Sequence, residues 1–336
     1  MEISKIQTAL KGEPNFRLKQ VNTAVFSDLA ENWNDVTALP KALREKLQKE
    51  CPLDIASELS VSDEENSMKV LIKLSDGNLI EAVLMRHSDG RNTVCVSCMV
   101  GCLMHCAFCA TGEMGLTRKL TTDEIIEQVL FFARLLKKEN SRVSGIVFMG
   151  MGEPMLNYDN VMAAVKIMQS PEGFGIGARH ISISTCGIFE GIEKLADESL
   201  PINLAISLHA SNDDVRKQLM PVAQTYTVKD LLAVVDDYIY KTNRKVMFEY
   251  LMIDGVNDSD EQAEELGELM EGRLCMVNLI QYNDTGKFTA ASHNRMKAFK
   301  EILERYGVDT TIRFRFGRDI KGACGQLATE VKSRKS

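Results

Sequence analysis

Five of the nine cysteines in this 336-residue chain, Cys95, Cys98, Cys102, Cys106 and Cys109, fall within fifteen residues. The spacing Cys102-x3-Cys106-x2-Cys109 lets one loop wrap its three thiolates around one iron–sulfur cluster. Three protein ligands leave one iron of a [4Fe–4S] cluster open. An open iron can chelate the amino and carboxylate groups of S-adenosylmethionine, whose reduced sulfonium releases a carbon radical. Cys98 keeps a second chemistry in view, because C-x3-C-x3-C-x2-C could enclose a zinc ion. That closely packed spacing is unlike the paired C-x2-C knuckles of zinc ribbons, however, and the zinc reading is the weaker one.

Polar and glycine-rich segments punctuate the chain downstream: Gly150-Met151-Gly152-Glu153-Pro154, Ser184-Thr185-Cys186-Gly187, Ser207-Leu208-His209 and Gln281-Tyr282-Asn283. Each lies at or just after the end of an apolar run that reads as a strand, and six such runs fall at residues 145–149, 180–184, 203–207, 246–252, 276–280 and 310–314. Helical periodicity lies between them, at 122–136, 161–169, 228–242, 260–270 and 295–306, and Thr121 with Glu124 forms a capping box for the first of these. Alternating strands and helices predict an α/β fold with a parallel, barrel-like sheet, whose working residues stand at the C-terminal strand ends. Upstream, residues 3–10, 17–29 and 41–49 read as short helices, and two apolar runs at 70–74 and 79–85 flank Ser75-Asp76-Gly77-Asn78, a hairpin signal. The expected organisation is a helical module over 1–68, a β-hairpin linker over 69–94, a core over 95–327 and a tail over 328–336.

Composition adds exclusions. With 45% apolar and 26% charged residues the chain is globular, and no apolar run approaches the roughly 20 residues that span a bilayer. The first fifteen residues lack the apolar stretch of a signal peptide, so a cytoplasmic protein without membrane contact is expected, with its cysteines in metal or redox chemistry rather than disulfides. A net charge of −7 does not announce a nucleic-acid partner. Arg313, Arg315, Arg318 and Lys321, with Lys332, Arg334 and Lys335 at the end, could form a local phosphate-facing patch or merely a solvated basic edge.

The motifs CVSCMVGCLMHCAFC, FMGMGEP, ISISTCG, AISLHA, GVND, VNLIQYN and ACGQL, in this order, resemble the RlmN/Cfr family of radical S-adenosylmethionine adenine methyltransferases. The similarity runs from Phe16 to Leu327. It implies a partial (β/α)6-type radical SAM barrel, a [4Fe–4S] cluster on Cys102, Cys106 and Cys109, and two S-adenosylmethionine molecules per turnover. One methylates Cys324. The other, at the cluster, yields a 5′-deoxyadenosyl radical that takes hydrogen from the S-methyl group, and the resulting thiomethylene radical adds to the adenine ring. The resemblance also makes Cys95 the cysteine that resolves the thioether by forming a disulfide with Cys324, and Glu81 the proton acceptor, although one extra residue separates Glu81 from Cys95 here. S-adenosylmethionine contacts carry over to Gly152, Glu153, Ser184, Ser207, Leu208, His209 and Asn283; Asp284 stands where the family usually has proline. Cys51, Cys186 and Cys275 read as packing residues. Implied partners are 23S rRNA, in some members also the tRNA adenine beside the anticodon, and an electron donor such as flavodoxin or ferredoxin, with the enzyme a monomer. The expectation is methylation at adenine C2; the alternatives are C8 methylation of the same base, which confers antibiotic resistance, and a non-catalytic zinc-stabilised RNA-binding module.

Overall fold

Runs of apolar residues build a ten-stranded sheet, seen in a computed structural model that describes residues 3–329. Its strands are β1 (Ser57–Val61), β2 (Ser67–Lys73), β3 (Leu79–Arg86), β4 (Asn92–Cys95), β7 (Gly145–Phe148), β8 (Ile181–Thr185), β9 (Asn203–Ser207), β10 (Val246–Met252), β11 (Cys275–Gln281) and β12 (Thr310–Ile312), paired in chain order. Two further strands, β5 (Met99–Gly101) and β6 (Leu116–Lys119), form a separate antiparallel ribbon. β1 to β4 are antiparallel to one another; from β4 onward every pairing is parallel.

The helices are α1 (Ile3–Ala9), α2 (Phe16–Asn22), α3 (Lys41–Glu50), α4 (Ala110–Glu113), α5 (Thr122–Lys138), α6 (Tyr158–Gln169), α7 (Phe189–Ala196), α8 (Asp213–Leu219), α9 (Val228–Thr242), α10 (Asp260–Met270) and α11 (His293–Arg305). β4–α5, β7–α6, β8–α7, β9–α9, β10–α10 and β11–α11 make six βα units, and β12 closes the series. The expected α/β fold is therefore present. Its first parallel strand is β4, inside the stretch expected to be a linker. The expected hairpin forms as β2–β3 but is flanked by β1 and β4 in the same sheet, not isolated from it. β1 and β4, five and four residues long, carry too short a pattern to stand out.

β10 is buried on both faces apart from Met247, whereas β7 and β8 alternate buried and half-buried positions, the half-buried face being the one that lines the cavities described below. Thr121 accepts from the Glu124 amide while Glu124 returns the bond to the Thr121 amide, which starts α5 where expected. α5 also carries the N-terminal module: buried Arg134 donates to the Leu53 carbonyl at 2.8 Å and to the Ala30 carbonyl. Within that module α2 continues into a π-helical turn over Thr23–Ser27, and Trp33, fully buried, donates its indole N–H to the Cys51 carbonyl at 2.7 Å. One hydrophobic core runs from Ile6 through the barrel to Leu327.

Candidate active site

The cysteine loop is set by the β5–β6 ribbon. Gly101 ends β5 at φ +78°, and a Cβ there would stand 1.8 Å from the Gly115 carbonyl oxygen, so only glycine lets the two strands close. The Cys102 amide donates to the same Gly115 carbonyl at 2.9 Å. The Ala107 amide bonds the Leu219 carbonyl at 2.8 Å, the His105 ring bonds the Gly112 carbonyl at 2.8 Å, and the Cys109 amide closes a turn on Cys106. Cys102, Cys106 and Cys109 thereby line one cavity of ≈ 160 Å³.

Among the described residues no three His, Cys, Asp or Glu side chains converge closely enough to hold a single metal ion. Thiols spread around a cavity suit a cluster, where each sulfur binds a different iron. Burial pushes the Cys102 thiol up to about 11 and raises Cys106 further, so thiolates here need a cationic partner, which iron supplies. The donor set fits a three-ligand cluster. Cys98 does not line that cavity; it is buried, its amide bonding the Met151 carbonyl and its own carbonyl accepting from Leu120 and Asn157.

The opposite wall comes from strand ends. Gly152, at φ +101°, lies where a Cβ would meet the Met99 side chain at 2.6 Å. Glu153, buried, accepts from the Cys186 amide at 2.8 Å and the Met155 amide at 2.9 Å, and burial raises its carboxyl above the usual range. The Ser184 and Ser207 hydroxyls meet across β8 and β9 at 3.4 Å. His209 Nδ1 accepts from the Leu251 amide at 3.0 Å, which leaves the proton on Nε2; burial lowers the ring to about 3, so it is neutral at physiological pH. The Phe108 ring stands edge-on to it at 4.8 Å, tying cysteine loop to strand end. Backbone and hydroxyl groups of this kind suit the amino, ribose and adenine parts of S-adenosylmethionine.

Leu208 and Asn283 do not line this cavity. Leu208 is fully buried, with its carbonyl accepting from Arg216, and Asn283 lines a second cavity of ≈ 360 Å³ and donates to the Cys324 carbonyl at 3.1 Å. Asp284 stabilises its own turn by accepting from the Gly286 amide at 2.7 Å, in place of a proline's rigidity.

Cys324 borders both cavities, and Cys95, at the end of β4, lines the larger. Cys324 is exposed to the cavities while walled in by protein, which raises its thiol; burial pushes Cys95 up to about 12, with the neighbouring Cys324 adding to the rise. Arg313 also borders both cavities and acts on both thiols in the opposite sense. Its guanidinium donates to buried Glu249 at 3.1 Å; Glu249 also accepts from Asn278, which in turn accepts from Thr311. Glu81 lies on the same face of β3 as Val83 and Met85, which line the larger cavity, but is itself buried against Lys69 at 2.8 Å and the Ala328 amide at 2.9 Å.

The basic run is not a phosphate-facing row. Arg313 is held by Glu249, and Arg315 donates to Asn283, Gln281 and the Tyr282 carbonyl, while Arg318 and Lys321 are exposed. Lys332, Arg334 and Lys335 lie outside the described residues. Sequence reasoning also missed Arg216, fully buried and bonded to the Leu208, Tyr226 and Cys186 carbonyls, and the Glu249–Arg313 pair; a charge within an apolar strand run, as at Glu249, was the available signal. Cys186, read as a packing residue, lines the smaller cavity with its sulfur 3.2 Å from the Met104 sulfur.

Comparison with known proteins defines the class first: residues 96–267 match the Radical SAM superfamily. A crystal structure of a radical SAM methyltransferase from Sphaerobacter thermophilus is 43% identical and superposes with a TM-score of 0.92 over 96% of this chain and 95% of that one. Ribosomal RNA large subunit methyltransferase N of Nitrosopumilus maritimus (strain SCM1) is 44% identical over 95% of this chain and 94% of its own length. The probable dual-specificity RNA methyltransferase RlmN of Clostridium tetani (strain Massachusetts / E88) is 44% identical over 94% of this chain and 90% of its own. The chain belongs to the radical SAM superfamily and, within it, to the RlmN family of methyltransferases. It is an enzyme of that kind, a class that works with a [4Fe–4S] cluster and S-adenosylmethionine. No helix among the described residues is long and apolar enough to cross a membrane.

Proposed function

We propose that this enzyme methylates C2 of an adenine in 23S rRNA and the adenine beside the anticodon in tRNA, with Cys324 as methyl carrier. The observation that carries the reading is the position of Cys324 on the border between the cavity of Cys102, Cys106 and Cys109 and the cavity of Cys95. The relatives' names, several of them dual-specificity RNA methyltransferases, support both RNA substrates and the C2 type over the C8 type.

Cys102, Cys106 and Cys109 hold the cluster, and Gly152, Glu153, Ser184, Ser207 and His209 hold S-adenosylmethionine beside it, two molecules being used per turnover. Together the cluster and S-adenosylmethionine supply the methyl group and the radical that activates it. The chain's own part is transfer and release. Cys324 faces the smaller cavity to be loaded and activated, and the larger one to meet the base. Arg313, beside both thiols, favours the thiolate where burial opposes it, and Cys95 frees the product by forming a disulfide with Cys324, which a thiol reductant then reopens. Glu81 takes the proton lost from the ring carbon. The protein acts as a cytoplasmic monomer supplied with electrons by a flavodoxin or ferredoxin, with residues 1–68 as an RNA-facing module.

Nucleosides from the rRNA and tRNA of a strain lacking its own adenine-C2 methyltransferase, expressing this chain, provide the test. Mass spectrometry should find 2-methyladenosine with the native protein and none with Cys324→Ala. Finding 8-methyladenosine instead overturns the C2 assignment, and finding neither overturns the reading.

A further inference from the structure

The mouth of the larger cavity carries groups that thiol chemistry does not use. Phe314, just beyond β12, is 69% exposed. Its ring stands edge-on to Phe316 at 5.0 Å, and Phe316 stands edge-on to His87 at 5.2 Å. His87, in the turn between β3 and β4, is fixed by a 2.9 Å bond between its Nε2 and the Thr93 hydroxyl. Phe314 is thus the outermost ring of a supported stack, and all three rings line the cavity that holds Cys95 and Cys324.

The rim around the rings carries two guanidinium groups, in a protein of net charge −7. Arg91, Arg179 and His180 line the same cavity and are exposed. Arg91 is paired with Asp89 at 2.8 Å, whereas Arg179 has no acidic partner among the described residues. An exposed aromatic ring and an unpaired guanidinium lining one cavity form a combination that can bind single-stranded nucleic acid, with a base on the ring and a phosphate on the cation.

We infer that this mouth is a nucleotide-stacking subsite, where the base flanking the target adenine stacks on Phe314 and its phosphate faces Arg179. The inference rests on the proposed RNA substrate and adds the residues that grip the strand outside the reaction centre. It also puts the phosphate contact at Arg179, outside the Arg313–Lys321 run.

The test uses the full-length, cluster-loaded enzyme and a fluorescein-labelled RNA stem–loop with one loop adenine, intact or with abasic sites on both sides of it. Removing the flanking bases should weaken binding to the native enzyme by about tenfold. Phe314→Ala should weaken binding of intact RNA by about the same factor and lose nothing more with abasic RNA, while Phe314→Trp keeps native affinity. Arg179→Gln should flatten the salt dependence by about one counterion. Native binding by Phe314→Ala, additive losses in the two-way comparison, or no RNA binding by the native enzyme would each overturn the subsite. Melting temperature and cluster absorbance confirm that Phe314→Ala is folded. Adenine methylation, read on the same samples, separates the two readings: Phe314-dependent binding without methylation overturns the proposed function alone, and methylation with Phe314-independent binding overturns the subsite alone.

Discussion

At the scale of single residues the site turns on two thiols held in different surroundings. Cys95 is buried at a strand end with its thiol pushed up to about 12, while Cys324 sits in a loop exposed to two cavities. Both are neutral at physiological pH, so neither ionises without help, and Arg313 is the cation placed to give it. The two cysteines should fail differently. Cys324→Ala removes the carrier, so neither methylated adenine nor an enzyme–RNA adduct should form. Cys95→Ala keeps the carrier but lacks the resolving thiol, so protein joined to RNA should accumulate. After nuclease digestion the peptide containing Cys324 should carry a nucleotide-sized mass increment; normal turnover by Cys95→Ala without that increment would remove the resolving role.

At the scale of elements, the cluster loop depends on a three-residue strand. β5 must approach β6 closely for the Cys102 amide to reach the Gly115 carbonyl, and Gly101 permits this through its φ of +78° and missing Cβ. Gly101→Ala should push the ribbon apart, cost roughly 1–3 kcal/mol through backbone strain and the carbonyl clash, and release iron. Iron and acid-labile sulfide assays of anaerobically purified protein would show it. A fully loaded Gly101→Ala enzyme would mean that the loop holds its shape without the ribbon. By contrast, α5 starts at its capping box and is tied to the ribbon by Arg118 of β6, which bonds Glu124 at 2.8 Å and also pairs with Asp76 in the β2–β3 turn.

At the scale of the whole molecule, the carrier loop is fastened to two distant parts of the chain. Towards the cluster, the Ala110 amide bonds the Gly325 carbonyl at 2.8 Å and the Thr111 hydroxyl bonds the Leu327 carbonyl at 2.5 Å. Towards the antiparallel strands, Asp319 accepts from the Asp63 amide at 2.6 Å and Glu81 from the Ala328 amide at 2.9 Å. Glu81 therefore has a mechanical part as well as its proposed chemical one. Glu81→Ala should cost roughly 1–3 kcal/mol, because it removes the acceptor of the Ala328 amide and leaves the half-buried Lys69 ammonium only the Lys321 carbonyl at 3.4 Å, and should speed amide hydrogen exchange across residues 320–328. Glu81→Gln keeps an oxygen for the Ala328 amide but no base. Restored protection with methylation still lost would assign Glu81 to proton transfer; restored protection with restored methylation would leave it the fastening role alone.

Local spacing carried much of this in the chain itself. Three cysteines spaced within one loop can share a cluster, a Thr-x-x-Glu pair ahead of an apolar-periodic run marks a helix start, and period and length mark the longer strands and helices, so the class of chemistry and the α/β order were legible without coordinates. Contacts between residues far apart in sequence were not. The four-residue β4 becomes a barrel strand only because β7 pairs with it, and Arg313 reads as one basic residue in a row until Glu249, 64 residues away, takes its charge inward. Asn283 bonds the carrier loop 41 residues further on, and the rings of His87 and Phe316 meet across more than two hundred residues. Those pairings are decided by packing, because a side chain's partner depends on which strands lie side by side, a property that tertiary structure alone determines.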